Sequence, residues 1–152
     1  MIAATHDALA LDDLVRWIRQ GKEPVMKEGM RRLAQAARTA ACVQSNRLPV
    51  ERRRRSRTYV AKLLTATPVL ADGLTPVGDP FPVLSRYVSR GGLDFFSQDA
   101  IPYRYVQFAL DGDSPLEQVL LVARLHWCRF SASKFYENGG IFVKQFISSC
   151  DV

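Results

Sequence analysis

The chain has 152 residues, a hydrophobic fraction of 47%, a charged fraction of 24% and a formal net charge of +6. A chain of this length forms one domain, or one with an appendage, and buries roughly 68–70% of its unfolded surface without needing a metal or a disulfide. Its apolar runs fall short of the roughly 20 residues of a membrane helix, and its start, Met-Ile-Ala-Ala-Thr-His-Asp, lacks the pattern of a secretory signal, so an intracellular, cytoplasmic protein with no membrane association is expected, or a nuclear one in a eukaryotic or viral setting.

The charge is unevenly placed. Residues 1–62 hold 14 Lys+Arg against 6 Asp+Glu, and residues 63–152 hold 7 against 9, so the first part carries 14 − 6 = +8 and the rest 7 − 9 = −2. Such a split points to a polyanion partner for the basic part. The cysteines, Cys42, Cys128 and Cys150, are odd in number and widely spaced, which fits a reducing compartment better than a disulfide framework.

In chain order, Asp7 to Gln20 reads as a short amphipathic helix with Leu9, Leu14, Val15, Trp17 and Ile18 on its apolar stripe, Thr5 or Asp7 at its cap and Gly21 as its stop. A second helix is expected from Pro24 to about Gln44, rich in alanine. Leu48 to Leu64 then carries five arginines within six positions, Arg52 to Arg55 and Arg57. It reads as a third helix, docked through Tyr59, Val60, Leu63 and Leu64, with its arginine-rich half projecting. Cations at a helix N-terminus oppose the macrodipole, a misfit that a bound anion relieves.

Thr67 to Pro82 holds four prolines and two glycines and reads as a connector. Tyr103 to Leu110 alternates as a strand, with Val106, Phe108 and Leu110 on one face. Ser114-Pro115-Leu116-Glu117 matches a capping box and predicts a buried helix from Pro115 to about Phe130. Ile141 to Ile147 reads as a last strand. These elements predict an α-rich α+β protein. Residues 1–66 form a basic three-helix part, 67–82 a Pro/Gly-rich connector, and 83–152 an aromatic-rich unit of about two strands around one buried helix.

The arginine segment carries the functional expectation. Each arginine that neutralises a nucleic-acid phosphate releases counterions, and its forked guanidinium matches phosphate oxygens bidentately. The expected contacts are Arg52, Arg53, Arg54, Arg55 and Arg57, extended by Lys62, Arg47, Arg38, Arg31 and Arg32. Tyr59, and with it Trp17, is placed to stack on bases. The expected function is non-catalytic binding of RNA or non-specific DNA. The alternative is a protein-interaction adaptor, regulator or pathogen accessory factor that uses the arginines as a transport or docking signal. A helix–turn–helix is disfavoured, because no glycine occupies the turn near Gln44 to Pro49.

No motif calls for a cofactor. His126 and Cys128, two apart on the predicted helix, diverge and read as packed core groups; no paired His or Cys-x-x-Cys motif suggests a metal. Ser131-Ala132-Ser133-Lys134 lacks the companion motifs of acyl-transfer serine enzymes, and Asp111-Gly112-Asp113 reads as a turn. Phe95, Phe96, Tyr103 and Tyr105, if exposed together, would mark a self-association or protein-partner surface.

Overall fold

A computed structural model describes residues 2–5, 10–21, 31, 32, 35, 57–113, 116–131 and 135–149. Their elements run β1 (Ile2–Thr5), α1 (Leu11–Gln20), β2 (Thr58–Tyr59), β3 (Leu63–Val69), β4 (Phe81–Val88), β5 (Gly92–Ser97), β6 (Tyr105–Asp111), β7 (Glu117–Phe130) and β8 (Tyr136–Ser149). All strand pairings are antiparallel. Strands β3–β4–β5–β8–β7–β6 follow one another laterally, and β6 pairs back onto β3, closing a six-stranded barrel; β1 adds to β8 and β2 to β4.

The α-rich expectation is therefore corrected: the described protein is mostly β, with one short helix. The third helix does not form where it can be followed. Thr58–Tyr59 pair with β4, and Leu63 to Val69 is a strand between β4 and β6. Leu63 and Leu64, placed on one helical face, are both buried because the two faces of β3 are both covered. The expected buried helix at 115–130 is also a strand, β7. Its run Val119 to Ala123 is buried on both faces, and a two-sided buried strand shows neither helical nor alternating periodicity. The proline-rich stretch 67–82 contains the end of β3 and the start of β4. Pro68 lies opposite Val106, and its carbonyl accepts from Val77 N at 2.9 Å.

Of the expected elements, the strand at Tyr103–Leu110 occurs from Tyr105 as β6, the strand at Ile141–Ile147 is part of β8, and the first helix occurs as α1, with Gly21 just after its end. Helix α1 begins at Leu11, with Ala10 as its N-cap and no side-chain cap; Asp7 lies outside the described residues.

Inward-facing side chains fill the barrel: Leu64, Ala66, Val83, Phe95, Val106, Phe108, Val119, Leu121 and Ala123 belong to one cluster. Helix α1 adds Leu14, Val15, Trp17 and Ile18 to that cluster at the end where β6 stops and β3 begins. The helix is tied there by polar contacts. Trp17 Nε1 and Arg16 donate to Asp113, and Gln20 Nε2 donates to the carbonyls of Asp111 and Gly112. The bonds from Arg16, foremost, and from Trp17 hold the Asp113 carboxyl below its ordinary range. Lys62 Nζ donates to the carbonyl of Arg19 at 3.1 Å, a cation against the negative end of the helix.

The β3–β4 connection folds over the outer face of the barrel. Gly73, at φ +80°, sits against Val122 and Phe146, part of a smaller outer cluster with Val69 and Leu120. Asp72 sets this turn. Its carboxylate accepts from the Thr75 hydroxyl and from the backbone N–H of Thr75 and of Leu74, which lowers its pKa from 3.8 to about 2. A depressed folded-state pKa gives stability that is fully present above pH 3.8 and is lost as pH falls toward about 2. Comparing wild type with Asp72→Asn by urea unfolding should therefore show a stability advantage that is constant near neutrality and shrinks between those two pH values. An advantage that persists unchanged at the lowest pH would contradict the linkage.

Candidate functional site

Register alone assembles the site. Residues directly opposite one another on neighbouring strands share a face of the sheet. Trp127 lies opposite Gly139, Gly139 opposite Asp94, Asp94 opposite Tyr87, and Tyr87 opposite Tyr59. This row crosses β7, β8, β5, β4 and β2 on the outer face of the barrel. The neighbouring row runs Arg129, Glu137, Phe96, Leu84 and Leu63. A bulge between Ser85 and Tyr87 inserts Arg86 between the two rows.

The rows combine arginine with aromatic and carboxylate groups. Arg57 Nη1 is 3.0 Å from Asp94 Oδ2, and its guanidinium lies 4.8 Å from the centroid of the Tyr87 ring. Tyr59 meets the same ring edge-on at 5.8 Å. Arg86 contacts the Tyr87 and Phe96 rings and pairs with Glu137 at 3.0 Å. Glu137, 8% exposed, also receives Arg129 Nε at 2.7 Å. Arg86 Nε is buried with no acceptor among the described residues. Arg90 and Arg124 are exposed nearby, on the β4–β5 turn and on β7.

Between these rows and the β4–β5 turn lies a cleft of about 200 Å³. Arg57, Tyr87 and Asp94 line one side, His126 and Trp127 the other, with Gly91, Gly92 and Gly140 among them. Two close approaches keep this floor bare. A Cβ at Gly92 would lie 2.3 Å from the Gly140 carbonyl oxygen, and one at Gly139 would lie 1.9 Å from Trp127 Nε1. The indole therefore rests directly on the backbone of β8.

The structure separates the expected contacts. Arg57 and Tyr59 stand together on this face, with Tyr59 39% exposed. Lys62 instead braces the end of α1. Arg31 and Arg32 are exposed and helical in conformation. Arg38, Arg47, Arg52, Arg53, Arg54 and Arg55 lie outside the described residues, as do Cys42 and Cys150. Trp17, expected to stack on bases, is instead 8% exposed and donates to Asp113. His126 and Cys128 are exposed on a strand rather than packed in a helix. Phe95 and Phe96 are buried, and Tyr103 is exposed.

Sequence reasoning passed over Trp127, Tyr87, Arg86 and Arg129. The alternation from Arg124 to Phe130 is the signal that could have found them as a strand. Among the described residues, no cluster of three His, Cys, Asp or Glu could hold a metal, and no helix is long and apolar enough to cross a membrane.

Neither a protein-family model nor a curated protein matches the sequence.

Proposed function

We propose that the protein is a non-catalytic nucleic-acid-binding protein, meeting RNA or DNA chiefly through phosphates. The observation that supports this reading is continuity. The segment richest in arginine, Arg52 to Arg55, leads directly into Arg57 and Tyr59, which stand on an outer face where arginines and aromatic rings are interleaved. Among the described residues, Arg57, Arg86, Arg90, Arg124 and Arg129 against Asp94 and Glu137 give that face 5 − 2 = +3. Phosphate contacts supply affinity without sequence selection, and aromatic faces accept any base.

Salt dependence tests it. Each neutralised phosphate contributes about −0.9 to the slope of log K against log salt on duplex DNA. Replacing Arg52, Arg53, Arg54 and Arg55 by alanine should weaken binding and make that slope shallower by up to about 3.6. A variant that keeps the parent's affinity and slope would remove these residues from the site.

One observation favours a second reading. Arg57 already holds a carboxylate, Asp94, so the arginine segment is chemically suited to docking an acidic protein surface. Polyglutamate would then compete with an oligonucleotide of equal charge on equal terms. On the nucleic-acid reading it competes poorly, because it offers neither phosphate geometry nor bases.

A further inference from the structure

The outer-face cleft has a shape that phosphate contacts alone do not call for. We propose that it seats one unpaired nucleobase, stacked against Trp127, so that the protein prefers single-stranded over duplex nucleic acid. This inference rests on the nucleic-acid reading above and narrows it to a substrate class.

Three features carry it. The first is the mounting of Trp127. Its indole lies on Gly139, where a Cβ would fall 1.9 Å from Nε1, 2.2 Å from Cε2 and 2.7 Å from Cδ1. A ring so close to a strand backbone is held by the strand rather than by a mobile loop. A rigid aromatic surface stacks a base without having to be ordered first.

The second is the opposing wall. Tyr87 is held in place by Arg57, Arg86 and Tyr59, which all pack on its ring. The cleft between this wall and Trp127 holds about 200 Å³ and has glycines at Gly91, Gly92 and Gly140, so backbone groups line much of its floor. A flat group that carries hydrogen-bonding edges suits such a slot, and a nucleobase is one.

The third is charge. The Arg129 guanidinium lies over the Trp127 ring, 5.4 Å from its centroid, and its side chain is 68% exposed while one edge pairs with Glu137. A base that takes this ring displaces the exposed guanidinium, whose donors then reach the sugar-phosphate of that base. A base inside a duplex is already paired and stacked, and reaches such a slot only if flipped out of the stack.

The test follows the intrinsic fluorescence of the full chain during titration with single-stranded oligo(dT), and with a duplex of the same length. The chain has two tryptophans, Trp17 and Trp127, and Trp17 is buried against Asp113. Oligo(dT) should quench the emission and bind more tightly than the duplex. Trp127→Ala should abolish the quench and weaken oligo(dT) binding by about tenfold, a typical stacking contribution. Trp127→Phe, which keeps an aromatic face, should restore most of the affinity. Unfolding curves of both variants establish that each is folded.

Salt-sensitive oligo(dT) binding that Trp127→Ala and Trp127→Phe leave unchanged, or a duplex bound as tightly as the single strand, would overturn the base seat and leave the phosphate reading standing. If neither nucleic acid binds at low salt, the phosphate reading falls, and the base seat with it.

Discussion

Replacing Glu137 by alanine should destabilise the protein by about 3–5 kcal/mol, the usual cost of removing one partner from a buried ion pair. Glu137 is 8% exposed and bridges two arginines, Arg86 at 3.0 Å and Arg129 at 2.7 Å. The two bonds are not equivalent. The Arg129 side chain is 68% exposed, so water screens and replaces that contact and it contributes little. The Arg86 side chain is 13% exposed, so loss of the carboxylate leaves a guanidinium stranded against Tyr87 and Phe96.

That asymmetry separates an unpaired charge from a lost attraction. Arg129→Ala should cost little, and the double variant Arg86→Met with Glu137→Leu should recover most of the loss, because an apolar pair of similar bulk has no charge to strand. Urea unfolding with an unchanged m-value reads all the variants on one scale. A double variant as unstable as Glu137→Ala would mean that shape at this position, rather than charge, sets the cost.

The same residues show how much of the protein could be read from its sequence. Strand β6 was legible because one of its faces is interior and the other is not, so Val106, Phe108 and Leu110 alternate with Tyr105, Gln107 and Ala109. Helix α1 was legible because it is docked on one side, so its apolar residues recur at helical spacing. Strand β7 was misread where both faces are covered. Leu120 and Val122 turn outward into the cluster with Val69 and Phe146, while Val119 and Leu121 turn inward. Four successive apolar residues carry no period, and the Ser-Pro-Leu-Glu punctuation before them points to a helix where Glu117–Phe130 is a strand.

The candidate site was less legible still. Its parts come from β2, β4, β5, β7 and β8, and only strand register brings them together. Nothing in the sequence says that Gly139 will lie beneath Trp127, or that Asp94 will stand beside Arg57. Composition singles out Arg57 and Tyr59, which lie together on this face, because charge density does not depend on the secondary structure assigned to it. It also brought in Lys62 and Trp17, whose positions serve the packing of α1.

Burial inside a closed barrel implies that the same substitution has very different effects at two positions. Phe108 is fully buried and meets Phe95 edge-on at 5.3 Å in the interior cluster. Six strands surround it, and their ladders limit how far the wall can collapse inward, so a cavity left there stays open. Phe108→Ala should therefore cost about 3–5 kcal/mol, at the full value for loss of a buried ring. At roughly 3 °C per kcal/mol for a chain of this size, the thermal midpoint should drop by about 10–15 °C. Phe130, near the end of β7, is 62% exposed, and its main ring partner is Tyr136 at 5.2 Å. Phe130→Ala should change stability by less than about 1 kcal/mol, since little apolar surface returns to water. Equal losses at the two positions would mean that the β7–β8 end is as tightly packed as the barrel interior. A small loss at Phe108 would mean that the interior yields, against the closure that six paired strands impose.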